Sequence, residues 1–237
     1  MSCRSRVVLL ASSLAAVLLI LPAATGAGAE PVALKKGDRI VFLGDSITEA
    51  GVGAKGYVTL VKKALGEKRK ELGVEILGAG VSGNKVPDLQ RRLDRHVLAK
   101  KPTVVVIYIG INDVWHGEKD PARGTPKDKF EAGLKDIIGK IKGAGARVLL
   151  CTPSVIGEKP DGSNKLDSRL DEYAAVSREV ARAEKVPLCD LRKEFVDYLK
   201  KHNAEKKERG VLTTDGVHLN EAGNRFVAGL MLKALGE

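Results

Sequence analysis

Thr103-Val104-Val105-Val106-Ile107-Tyr108-Ile109-Gly110 carries an unbroken apolar run from Val104 to Ile109. A strand with one face in water alternates apolar and polar side chains, and this one does not. It therefore reads as a central strand of a parallel sheet, covered on both faces. Four more short β-rich runs surround it: Arg39 to Gly44, Val74 to Ala79, Ala146 to Thr152 and Val186 to Leu191. Longer amphipathic stretches separate and follow them: Tyr57 to Leu72, Val86 to Leu98, Lys127 to Gly143, Leu166 to Glu184, Glu194 to Glu208 and Glu221 to Leu235. In the third of these, Phe130, Leu134, Ile137, Ile138 and Ile141 recur at helical spacing and form one apolar stripe with Lys and Asp outside it. Such alternation predicts βα units on a five-stranded parallel sheet. Reactive residues in such sheets gather at the carboxyl ends of the strands.

The chain has 237 residues, of which 43% are hydrophobic and 30% charged, the profile of a soluble protein with a buried core. Arg4 and Arg6, the apolar run Val7 to Leu21 and the small residues Ala27-Gly28-Ala29 read as an export signal cleaved before Glu30. Residues 1–29 are thus expected to be a signal peptide and 30–237 one domain, in a secreted or periplasmic protein. The alternative is membrane attachment through an uncleaved helix, because Val7 to Ala24 is uncharged and almost long enough to span a bilayer. No later stretch is apolar for long enough, so no stable membrane insertion is expected after cleavage.

The formal net charge is +10, and loss of Arg4 and Arg6 lowers it to +8. Lys and Arg interleave with Glu in Lys62 to Lys70 and Lys200 to Arg209, which is the pattern of a solvated helix face. With aromatic residues at 4%, nothing here suggests a nucleic-acid partner. Beyond Cys3 the chain holds Cys151 and Cys189, each in a short apolar run, where a buried free thiol is expected, the alternative being a single bridge if the two runs are neighbouring strands. No His, Cys and carboxylate cluster has metal-ligand spacing. Gly51-Val52-Gly53-Ala54-Lys55-Gly56 lacks the Lys-Ser/Thr ending of a phosphate loop. The sequence therefore implies neither metal nor cofactor.

Three of the predicted strands run into short polar loops. Gly44-Asp45-Ser46-Ile47-Thr48-Glu49 follows the first, Gly80-Val81-Ser82-Gly83-Asn84 the second, and Gly110-Ile111-Asn112-Asp113 the third. Each alone would pass as a turn or a helix cap. Just before the last helix stands Thr213-Thr214-Asp215-Gly216-Val217-His218-Leu219-Asn220. A carboxylate three residues ahead of an imidazole can fold back onto one ring nitrogen and leave the other to face a hydroxyl. A lone histidine in that place would more often be structural.

Taken together and in this order, the four blocks resemble the SGNH hydrolase family, also called GDSL-like lipases and esterases, over about Arg39 to Leu235. The resemblance implies a three-layer α/β/α, flavodoxin-like sandwich. It implies Ser46 as nucleophile, His218 as base and Asp215 as the residue that orients the imidazole. The backbone N–H groups of Ser46 and Gly83 and the Asn112 amide would form the oxyanion hole, since donors fixed in advance stabilise the charge that acyl transfer builds on the carbonyl oxygen. Asp45, Trp115 and His116 are candidate substrate-binding residues, although Trp115 reads equally well as ordinary packing. His96 and His202 fall in helical stretches and read as surface residues. The chain departs from the family at Gly78, where an Asn is common, and at Asn84, where an Asp is frequent; both bear on loop geometry.

The expected activity is hydrolysis of a short, acetyl-type ester on a small molecule or carbohydrate, through an acyl-enzyme on Ser46. Alternatives are a lysophospholipase or thioesterase acting on longer chains, an inactive SGNH-like carbohydrate-binding module and, more remotely, a flavodoxin-like cofactor carrier.

Overall fold

The apolar octapeptide does form the middle of the sheet. A computed structural model describes residues 30–237, so the expected export signal lies outside the described residues. Five strands, β1 (Arg39–Gly44), β2 (Glu75–Gly80), β3 (Val104–Tyr108), β4 (Arg147–Cys151) and β5 (Leu188–Cys189), make one parallel sheet in the order β2-β1-β3-β4-β5. Val104 to Ile107 are wholly buried, and each such side chain adds ~1.5–3 kcal/mol relative to exposure.

Eight α-helices are found among the described residues: α1 (Ser46–Gly51), α2 (Tyr57–Lys68), α3 (Val86–His96), α4 (Ile111–Trp115), α5 (Lys127–Gly143), α6 (Asp167–Glu184), α7 (Leu191–His202) and α8 (Glu221–Ala234). Helices α3, α5 and α6 pack side by side on one face. On the other, α8 packs against α2 and, through Phe226, against Phe195 and Tyr198 of α7. This is the expected three-layer α/β/α sandwich. The chain leaves β1 in one direction, for β2, and returns in the other, so the strand order reverses between β1 and β3. Their carboxyl ends open a crevice at that point.

The departures from expectation have local causes. Helix α7 begins at Leu191 rather than Glu194, because Asp190 caps it by accepting from Lys193 N–H, and it ends at His202 rather than Glu208. There Asn203 turns the chain, its side chain donating to the carbonyls of Glu158 and Lys207. Helices α1 and α4, of six and five residues, are too short to show a period in sequence. Strand β3 stops at Tyr108 because Gly110, at φ +123°, starts α4. Cys151 and Cys189 are paired in register across β4 and β5, and both thiols are free and buried. No helix among the described residues is long and apolar enough to cross a membrane.

Candidate active site

Ser46 is the first residue of α1, immediately beyond β1. The turn is tight enough that a Cβ on Gly44 would lie 2.1 Å from Thr48 Oγ1 and 2.5 Å from the Tyr108 carbonyl, so only glycine fits. Beneath α1, Thr48 and Tyr57 share a hydroxyl hydrogen bond of 2.8 Å that ties the short helix to α2. Ser46 is held at the rim of the sheet, half-buried, with its backbone N–H at a helix start that offers it no intrahelical acceptor.

His218 arrives from the far end of the chain. Asp215 Oδ1 accepts from the backbone N–H groups of Val217 (2.9 Å) and His218 (2.8 Å), and Thr214 N–H donates to the His218 carbonyl at 2.8 Å. Gly216 supplies the φ of +96° that this turn requires. The fold-back brings Asp215 Oδ2 within 2.7 Å of His218 Nδ1 and His218 Nε2 within 3.0 Å of Ser46 Oγ. With Nδ1–H donating to the carboxylate, Nε2 is the free acceptor facing the serine hydroxyl. Burial works to raise the Asp215 pKa, but hydrogen bonds from the His218 ring and from two backbone N–H groups outweigh it and hold the carboxyl below its usual range.

The support for this loop comes from a residue that sequence reasoning missed. Glu158, fully buried, accepts from the backbone N–H groups of Val211 (2.7 Å), Leu212 (2.7 Å) and Thr213 (2.6 Å). Gly157 N–H donates to the Gly216 carbonyl at 2.8 Å. In sequence Gly157-Glu158-Lys159-Pro160 reads as a solvated loop, and no spacing links it to a turn more than fifty residues away.

The remaining candidate donors come from the loops after β2 and β3. Gly83 is exposed at φ +75°, and its N–H has no hydrogen-bond partner among the described residues. Asn112, 4% exposed, donates one amide hydrogen to the Asn84 carbonyl at 3.0 Å, which leaves the second available. All three sequence blocks and the histidine block thus meet at the crevice.

Asp45 does not belong with the substrate-binding residues. It is 2% exposed and its carboxylate caps α1, accepting from Ile47 N–H at 3.0 Å. Burial, with the nearby Asp113 charge, pushes its pKa from 3.8 to about 7, against the pull of the Ile47 hydrogen bond. Because the folded-state value is the higher one, the stability Asp45 contributes is complete below pH 3.8 and is lost as pH rises through about 7. Asp45→Asn keeps the cap but cannot ionise. Compared with the parent it is expected to be similarly stable at pH 4 and more stable at pH 8, by up to about 4 kcal/mol. Urea unfolding at the two pH values measures this; a difference independent of pH would contradict it.

Trp115 and His116, at the end of α4, do border the site. The Trp115 ring meets the His218 ring edge-on at 6.4 Å, and His116 Cε1 would lie 3.9 Å from a Cβ on Gly83. Burial, then the charges of Lys85 and Arg123, hold the His116 pKa below its usual value. From Trp115 an open groove of about 530 Å³ runs between the loops, past Ile156, Asn164, Lys165, Asp215 and Val217. It is lined mainly by polar and charged side chains. Among the described residues no group of His, Cys, Asp and Glu is arranged to hold a metal ion.

The model of the GDSL-like Lipase/Acylhydrolase family matches residues 42–226. An acetylxylan esterase of Geobacillus stearothermophilus is 32% identical over 215 residues, covering 84% of this chain and 94% of that protein. The isoamyl acetate-hydrolyzing esterase 1 homolog of Rattus norvegicus is 26% identical over 205 residues, covering 80% and 78%. Among solved structures, the acetyl xylan esterase AlAXEase superposes with a TM-score of 0.81 at 46% identity, over 83% of this chain and 99% of that one.

Proposed function

Because the chain belongs to the GDSL-like lipase/acylhydrolase family and is a carboxylic ester hydrolase, we propose that it removes acetyl groups from carbohydrate through an acyl-enzyme on Ser46. The observation that carries this reading is the continuous chain from Ser46 Oγ to His218 Nε2 (3.0 Å) and from His218 Nδ1 to Asp215 Oδ2 (2.7 Å). In the first half-reaction Nε2 takes the Ser46 proton as Oγ bonds to the ester carbonyl carbon. The carbonyl oxygen, now negative, lies among the N–H groups of Ser46 and Gly83 and the free Asn112 amide hydrogen. As the tetrahedral species collapses, the C–O bond to the sugar breaks and His218 returns the proton to the departing hydroxyl. Water, deprotonated by His218, then attacks the acetyl-serine, and acetate leaves as Ser46 regains its proton.

The carbohydrate side of the proposal rests on the open polar groove beside Trp115 and on relatives that act on acetylxylan. A sugar ring presents hydroxyls to polar walls and a flat apolar face to an indole. A long acyl chain would need a continuous apolar slot, which a groove of Lys, Asn, Glu and Arg does not provide. The test compares acetylated xylo-oligosaccharides with octanoyl and longer model esters, using purified protein. Acetylated sugars are expected to give the higher kcat/KM; faster turnover of the long acyl chains would overturn the substrate assignment. Residues 1–29 fit an export signal in sequence, which adds that the enzyme meets its substrate outside the cytoplasm. Protein recovered from the medium should then begin at Glu30.

A further inference from the structure

Arg92 lies on α3 next to the buried stripe of Leu89 and Leu93, and its side chain turns inward beneath the rim of the site. Its Nη2 donates to the Gly44 carbonyl at 2.7 Å and its Nε to Asn84 Oδ1 at 2.6 Å. Its Nη1 is buried with no partner among the described residues. Gly44 ends β1, two residues before Ser46; Asn84 directly follows Gly83. The Asn84 carbonyl in turn accepts from Asn112 Nδ2 at 3.0 Å. One guanidinium therefore reaches all three candidate oxyanion donors: Ser46 two residues along the backbone from Gly44, Gly83 one residue from Asn84, and Asn112 by way of Asn84 and one further hydrogen bond.

The arrangement is costly. Burial pulls the Arg92 pKa below the usual arginine range, opposed by the charges of Asp88 and Asp45. Neither carboxylate makes a direct contact: Asp88 pairs with Arg91, and Asp45 caps α1. A cation placed there for stability alone would be matched by an adjacent anion. What it has is a planar fork whose two arms hold two loops at a set separation, which a lysine ammonium does not reproduce. The guanidinium reinforces other ties between the loops: Val81 N–H donates to the same Gly44 carbonyl at 3.2 Å, Asn84 N–H turns back onto the Val81 carbonyl, and Ser82 reaches Glu49 through its N–H at 3.0 Å and its hydroxyl.

We propose that Arg92 is a positioning residue of the oxyanion pocket, holding the Gly44–Ser46 turn and the Gly83–Asn84 loop at the spacing where their N–H groups and the Asn112 amide converge on one oxygen. This rests on the reading of Gly83 and Asn112 given above. Arg92 touches no reacting atom, so its loss acts through donor geometry, where displacement by about 1 Å costs up to about 10²-fold in rate.

With p-nitrophenyl acetate as substrate, Arg92→Met is expected to lower kcat about 10- to 100-fold while KM stays within about threefold. Arg92→Lys keeps the charge but not the fork and should remain about 10-fold slow or worse. In the Asn112→Ala background, Arg92→Met should cost less than it does in the parent, because one of the three donors it aligns is already gone. A folded Arg92→Lys or Arg92→Met protein with kcat within about twofold of the parent would overturn the proposal. So would a full, multiplicative loss in the double variant, which would mark the residue as a part of the fold only. Should Arg92→Met fail to fold, Arg92→Lys serves in the same cycle. If Asn112→Ala alone keeps the parent rate, the oxyanion reading falls and this proposal with it; a slow Asn112→Ala beside fast Arg92 variants removes this proposal only.

Discussion

Replacing Ser46 by alanine is expected to lower kcat by on the order of 10⁴- to 10⁶-fold while leaving the fold in place. The side chain is half-buried at the start of α1, and its hydroxyl hydrogen-bonds to His218 Nε2. The helix cap belongs to Asp45 and the tight turn to Gly44, so the variant keeps both. Thermal stability should change by less than about 1 kcal/mol. What remains active would be the oxyanion donors and the histidine acting on water, a small residue of the full rate. Steady-state rates, together with mass spectrometry of protein mixed with an activated acetyl ester, measure this directly. An acetyl adduct on the alanine variant, or more than about 1% of the parent rate, would move the nucleophile elsewhere.

Asn112→Ala is expected to cost about 10²- to 10³-fold in kcat, with KM much less affected, because the amide hydrogen meets the oxygen only once that oxygen carries charge. Asn112 also holds the Asn84 carbonyl, so part of the loss reaches Gly83 through the loop. A variant that turns over normally would remove Asn112 from the site.

Much of this was legible along the chain, and the exceptions share one property. The apolar run from Val104 and the stripe on α5 follow rules that act over a few residues, pleat and helical period, and the blocks at Ser46, Gly83, Asn112 and His218 are short motifs legible through their resemblance to a family. Asp45 was misplaced because the same turn that lifts Ser46 to the surface sends its neighbour under α1, and two adjacent side chains in a sequence carry no mark of which one is buried. Glu158 was missed because its partners, Val211 to Thr213, lie more than fifty residues on. Arg92 reads as one half of an Arg91-Arg92 pair on a helix surface; Arg91 is exposed, and Arg92 turns inward.

The resemblance to the SGNH family marked which short loops carry the candidate nucleophile, imidazole and amide, while the residues alone determined a parallel sheet and the order in which strands and helices follow one another. Those are consequences of local stereochemistry and of burying apolar surface, and both are written at short range. Only the folded molecule decided that Ser46 and His218, 172 positions apart, stand 3.0 Å from each other, that Glu158 supports the loop carrying the imidazole, and that Arg92 joins the loops facing it. Those contacts depend on where whole strands and helices come to rest, and a hydrogen bond between distant residues leaves no periodicity behind it for a sequence to display.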